Sequence, residues 1–351
     1  MTKPFVKKLP KYSVLAAALL AFGMSFSQAQ TTISSAPEGF MNFVIPAGSL
    51  VTPSVYMFSL PLTAAPPTNL VGQTAGRITG VTAATITNSS AGWTAGALSQ
   101  AATPYFIRIT SGTAIGRTLA ISTTAANTVT VVTVDNQGTP LNGLGIVAGD
   151  SYEIFPADTL SSLFGSAVLG GTSTADADVV RLQNGANWLE YYYDTGAAQW
   201  RLNSIATSQN NVIIRPDAGI IFYRRGATPL TLTLTGRVPT TDLQTVVNEV
   251  GPTFVGGFPV DTPLGQSDFR MMPTWINNTG NAATADKINV FLSGVWNSYN
   301  YNQTAGQWRN GSVPVNMDSL VTIPAGTPVI IDSPTGSPGL KVWKRTLPYS
   351  L

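Results

Sequence analysis

The sequence predicts an all-β protein of tandem antiparallel β-sandwich or barrel-like modules, with an internal repeat of about 108 residues. Three observations point there. Residues 187–201 (NWLEYYYDTGAAQWR) return as residues 295–309 (VWNSYNYNQTAGQWR), 295 minus 187 giving an offset of 108. Runs of β-branched and aromatic residues recur about every ten positions, broken by Gly, Asn and Asp. Only 10% of residues are charged, against about 25% in an ordinary soluble protein, and Thr, Ser, Asn, Gly and Ala fill their place. The ungapped match runs from Asp178/Asp286 to Pro216/Pro324, with Trp188, Tyr191, Tyr193, Gln199, Trp200, Arg201 and Ser204 each meeting an identical residue. Two coincident Trp pairs make chance a poor explanation.

Residues 1–29 read as a secretory signal peptide. Lys3, Lys7, Lys8 and Lys11 form the basic region, residues 14–26 the apolar region, and Ser27-Gln28-Ala29 the small-x-small cleavage site. The apolar run falls short of the ~20 residues a membrane span needs. The whole chain has 19 basic and 17 acidic residues; without the four lysines 15 face 17, a net of −2. A basic surface for nucleic acid is therefore not expected, nor a transmembrane span in the mature chain. The expected location is outside the inner membrane: cell surface, extracellular or periplasmic.

An N-terminal β segment (30–98) follows, with strands at 41–45, 55–62 and 77–87. Its Ile45-Pro46-Ala47-Gly48 recurs at 323–326, hinting at a further diverged copy. A small β module (99–169) has strands at 105–110, 116–123, 127–134 and 151–155. It ends in one helical turn at 158–165, with Asp158 as N-cap and Gly165 as C-cap. Residues 240–251 are the only other helical contender, and their β-branched run leaves that open.

The first aromatic-hairpin unit (170–270) has strands at 212–214, 220–224 and 230–235 after its hairpin. The second (271–351) has them at 320–323, 329–331 and 340–344. A four-residue loop at 195–198 sets Tyr193 opposite Trp200 and Tyr192 opposite Arg201, and the second hairpin sets Tyr301 opposite Trp308 and Asn300 opposite Arg309. An aromatic cross-strand pair contributes about 0.2–1 kcal/mol, and Arg201 over the Tyr192 ring could add a cation–π contact. Arg224 and Arg225 read as solvated residues beside a turn.

Residues 105–112 (YFIRITSG) with Gly116-Arg117, 149–154 (GDSYEI), 159–165 (TLSSLFG) and the W…Y-x-Y…QWR hairpins resemble a family of exported β-rich bacterial proteins without assigned function. The resemblance implies export and an all-β build, and brings no catalytic residue.

With neither His nor Cys in the chain, Ser-His-Asp and Cys-His sites and the common zinc centres are excluded. No phosphate-binding glycine loop is present, and no cofactor or metal is expected. Carboxylate hydrolysis is a distant alternative, with Asp178, Glu190 and Asp194 as candidates. The second unit replaces Glu190 by Ser298 and Asp194 by Asn302, which argues against it. Asp178 and Asp286 fit an Asx turn, and Asp176-x-Asp178 is a thin calcium candidate.

The leading expectation is a non-enzymatic structural or surface-interaction protein that self-associates. The runner-up is a carbohydrate-binding protein, with cell-surface polysaccharide as partner and Trp188, Tyr191, Tyr192, Trp200, Trp296, Tyr299 and Trp308 as ligand contacts. A sugar platform requires at least two rings open to solvent. The core-packing alternative requires them buried.

Overall fold

In Leu230–Arg237 (LTLTLTGR) leucines alternate with threonines, and a strand must send the two sets to opposite faces. Leu230, Leu232 and Leu234 are buried and the threonines between them exposed. The partner strand is Glu38–Ile45, with Phe43 opposite Leu232 and Ile45 opposite Leu230. The computed structural model describes residues 37–349 apart from 186, 204 and 335–338, so the expected signal peptide lies outside the described residues. The described chain is mostly β, in several antiparallel sheets.

Two sheets have five strands each. The first orders Gln199–Leu202, Asn187–Asp194, Val179–Asn184, Gly219–Arg224 and Ser54–Ser59. The second orders Gln307–Asn310, Val295–Asn302, Lys287–Leu292, Val329–Ser333 and Gly251–Val255. Both hairpins adopt the expected register, Tyr193 opposite Trp200 and Tyr301 opposite Trp308. At the centre Val180 lies between Tyr191 and Phe222, and Ile288 between Tyr299 and Ile331. Phe222 and Ile331 thus hold matching places at an offset of 109 (331 minus 222), one more than the hairpins. The ungapped match through Pro216/Pro324 is accordingly one residue out of step at its end.

Each five-stranded sheet has an attendant ribbon: Glu38–Ile45 with Leu230–Arg237 for the first, Leu243–Val247 with Lys341–Arg345 for the second. Each also has a two-residue ladder, Asp158–Thr159 with Ile213–Ile214 and Thr262–Pro263 with Thr322–Ile323. The recurring Ile-Pro-Ala-Gly begins on the last residue of its strand in both places, the ribbon strand Glu38–Ile45 in one and the ladder strand Thr322–Ile323 in the other. The two strands differ in pairing, one in a long ribbon and the other in a two-residue ladder. Residues 240–251 contain a wholly buried strand, Leu243–Val247, and no helix.

An eight-stranded sheet lies in the chain between Ser54–Ser59 and Asp158–Thr159. It runs from Ala75–Arg77, beside Ser151–Pro156, at one edge to Gly80–Val81 at the other, with Thr103–Ile109, Thr118–Thr124 and Thr128–Val131 at its centre. Strand pairing thus crosses the boundaries expected at 98 and 169: residues 75–87 join this sheet, and residues 38–59 pair with residues 219–237. The helix Leu160–Phe164 is the expected helical turn, but its cap is Thr159. Thr159 Oγ1 accepts from Ser162 N at 3.1 Å and Ser162 Oγ accepts from Thr159 N at 2.8 Å. Asp158 is held one residue away in the ladder with Ile214. Gly165 closes the helix at φ +53°.

The helix presents Phe164 to the first core, where its ring centroid lies 5.6 Å from Trp200 and 5.5 Å from Phe222. In the second core Phe269 stacks on Trp343 at 4.3 Å and meets the edge of Trp308 at 6.5 Å. A third core, around Ile86, Ile107, Leu119 and Ile154, underlies the eight-stranded sheet and takes in Val246 of the second ribbon.

Candidate functional site

The hairpin aromatics divide by environment. Trp200 is 0% and Trp308 2% exposed, and Tyr191, Tyr192 and Tyr299 are equally enclosed. These five of the seven candidate ligand contacts are closed to a ligand: Tyr191 and Trp200 fill the first core, Tyr299 and Trp308 the second, and Tyr192 is buried outside the first core. Trp200 Nε1 donates to Gly165 O at 3.1 Å, which meets the requirement that a buried indole find an acceptor. Tyr192 OH donates to Thr172 O at 3.2 Å. The expected contact of Arg201 with the Tyr192 ring is replaced by an ion pair with Asp194 at 2.9 Å.

Trp188 and Trp296, at hairpin ends, are the two not fully buried. Trp188 is partly buried and packs on Phe254, at 5.6 Å between centroids, whereas Trp296 is 42% exposed beside Phe291 at 5.3 Å. They lie in different sheets, so no two-ring platform is built from this set.

The candidate carboxylates are each occupied. Asp178 accepts from Leu169 N at 2.8 Å, Arg225 N at 2.6 Å and Gly226 N at 3.2 Å, and pairs with the Arg224 guanidinium. Asp286 accepts from Ile276 N at 2.6 Å and pairs with Lys341 Nζ at 2.6 Å. Both aspartates are fully buried. Their role is not the expected Asx turn: each reaches back to a loop about ten residues earlier and neutralises a buried cation. Arg224 is likewise buried rather than solvated. Glu190 pairs with Arg181, whose Nε lies 3.1 Å away, and Asp194 accepts from Gly196 N at 2.8 Å and Ala197 N at 3.0 Å across its turn. Asp176 binds the backbone and hydroxyls of Thr172 and Ser173, which hold its carboxyl well below the usual carboxylate range. Among the described residues no group of three acids converges as a metal site would require.

A buried polar cluster escaped the sequence reading. It lies where the eight-stranded sheet meets both five-stranded units. Arg117 donates from Nε to Asn136 Oδ1 at 3.1 Å, and from Nη1 to Asp217 Oδ2 at 3.2 Å and Gln244 O at 3.4 Å. Arg215 bonds both oxygens of Asp217, at 3.0 and 3.2 Å, and Thr118 O at 3.2 Å. Arg345 donates to Gly256 O and Gly257 O, both at 3.0 Å, and to Thr245 Oγ1 at 3.2 Å. Burial pushes the Arg345 guanidinium down to about 10. Burial alone would raise Asp217, but Arg215 and Arg117 outweigh it and hold the carboxyl below its ordinary value. An acid so held stays ionised and is a poor proton donor. The one sequence signal was a cation inside an apolar strand, such as Arg108 within residues 105–109, in a chain with few charges.

Beside this junction a cavity of about 130 Å³ is lined by Gln137, Gln183, Asn184, Asn248, Asp217 and Phe254 among others. Three of its amides are committed: Gln183 donates to Pro252 O at 2.9 Å and accepts from Phe254 N at 2.6 Å, Gln137 donates to Val247 O at 2.6 Å, and Asn248 Nδ2 donates to Pro252 O at 3.0 Å. No helix among the described residues is long and apolar enough to cross a membrane, a statement that does not bear on β-barrels. No family model, curated protein or solved structure matches this chain.

Proposed function

We propose that this is an exported, non-enzymatic structural protein in which one β unit is used twice, and that it acts by self-association at or beyond the cell surface. The supporting observation is what the matching residues do. Trp200 and Trp308 fill two separate cores in one register, and Asp178 and Asp286 each neutralise a buried cation at the same place in their sheets. Residues kept in both copies therefore hold sheets together. The candidate acids are spent on ion pairs and turn caps, the opposite of what carboxylate hydrolysis needs. Electron microscopy and light scattering of the protein from residue 30 onward test the reading. Filaments, sheets or multimers are the expected result, and a monomer at every concentration counts against it.

The cavity favours one second reading, a carbohydrate-binding protein. Its amide and carboxylate lining, with Phe254 in its wall and Trp188 packed on Phe254, offers the hydrogen bonds and apolar face a sugar ring requires. A retention shift on immobilised polysaccharide, lost in Asn184→Ala, would support that reading over assembly.

A further inference from the structure

Within the chain, the end of the first hairpin is docked on the outermost strand of the second sheet. Trp188 packs on Phe254 at 5.6 Å, and the amide of Gln183, the residue opposite Trp188, bonds the Phe254 N–H and the Pro252 carbonyl. Gly219 lets the Phe254 ring approach, since a β-carbon there would collide with it. The second hairpin has the same end in the same register: Trp296 lies opposite Phe291 as Trp188 lies opposite Gln183. Among the described residues, the ring against Trp296 is Phe291 of its own hairpin.

The strand Ser54–Ser59 holds in the first sheet the place of Gly251–Val255 in the second. Met57 opposite Ile221 and Val55 opposite Tyr223 correspond to Phe254 opposite Ile330 and Pro252 opposite Asp332. This strand ends its sheet, and beside it the loop before Ser54 carries Leu50 and Val51, 57% and 93% exposed. No Asp, Glu, Lys or Arg occurs in residues 39–76 or 288–308. Apolar Phe291 replaces Gln183 at the free hairpin end, and apolar Val55 and Met57 stand at the free strand. The two surfaces match in chemistry as well as in register.

We propose that the hairpin end carrying Phe291, Val295 and Trp296 docks on the strand carrying Val55 and Met57 of a second copy of this chain, repeating between molecules the contact made within one. This inference rests on the structural reading above and names its partner and surface. The contact is heterologous, so it propagates head to tail into a fibre or closes into a ring. The buried area of one hairpin end is small beside a standard interface of about 1,600 Å², so assembly should depend on concentration.

The chain has no cysteine, so engineered ones report cleanly. Val55→Cys and Val295→Cys are placed on separate molecules from residue 30 onward, mixed and oxidised, and both changes are also combined in one molecule. The mixture should give a mixed dimer in preference to either like pair, and the combined variant a ladder. Adding Trp296→Asp should reduce both about tenfold or more, and thermal unfolding of the same variant, which loses only the Phe291 ring contact, checks that the fold survives. Like pairs forming as fast as the mixed pair, or a ladder indifferent to Trp296→Asp, overturn the inference. If light scattering still finds multimers in that case, another surface assembles the protein and the structural reading stands. A monomer throughout overturns both.

Discussion

Replacing Asp286 by Asn isolates what a buried charge does for the second unit. The side chains of Asp286 and Lys341 have no exposure at all, and Lys341 Nζ has one other described partner, Ser333 Oγ at 2.9 Å. Asn keeps an acceptor for Ile276 N but removes the counter-charge, stranding an ammonium in the core. Removing one partner of such a pair costs about 3–5 kcal/mol. With a urea dependence of about 3 kcal/mol per molar, the midpoint of the second unit should fall by about 1–1.7 M, read from the fluorescence of Trp308 and Trp343. Adding Lys341→Met removes the stranded charge and should recover at least half of the loss. A single-variant cost below about 1 kcal/mol, or a double variant no better than the single, would mean that water reaches the pair and would refute the reasoning.

Three further outcomes follow from the same packing. Trp200→Ala should cost about 3–5 kcal/mol, whereas Trp296→Ala, which loses the Phe291 ring contact, should cost about 0.5–1.5 kcal/mol; parallel denaturation curves distinguish a core residue from a partly exposed one. Gly219→Ala should lower stability by about 1–3 kcal/mol through overpacking against Phe254. Combined with Phe254→Ala it should cost less than the sum of the two single changes, as a double-mutant cycle would reveal. Because Arg215 and Arg117 depress Asp217 against its burial, its contribution is present above the ordinary carboxylate pKa of about 3.9 and is lost as pH falls through the lower folded value. Melting temperature should therefore drop on acidification below about pH 4, and Asp217→Asn should flatten that limb of the curve.

What could be read from the sequence was local. A four-residue loop with period-2 alternation fixes which residues face each other, so Tyr193 opposite Trp200 and Tyr301 opposite Trp308 were legible before any coordinates. The aspartates at 178 and 286 were visible as a match, but their partners were not. Arg224 comes from the strand beside Asp178, while Lys341 comes from the ribbon, with Ser333 standing where Arg224 would be. No offset relates the two cations, so a scan for matching residues sees one half of each pair. The junction is harder still: Arg117, Asp217 and Arg345 meet across three sheets, and loop closure over such separations leaves no periodic trace. The pairing of Glu38–Ile45 with Leu230–Arg237 is of the same kind, since alternation identifies a strand without choosing its neighbour.

Trp188 and Trp296 carry the argument furthest. They are the same residue at the same register in matching hairpins, and identity alone gives them one role. The structure gives them different surroundings, because Phe254 of another sheet packs on the first, whereas the ring beside the second is Phe291 of its own hairpin. A ring that packs on a neighbouring sheet at Trp188 and is 42% exposed at Trp296 fits the docking between molecules proposed above. Surface Trp at a hairpin end carries a standing solubility cost, and the contact made by Trp188 supplies the physical reason for keeping it. Where that ring goes in solution is therefore the question on which assembly turns.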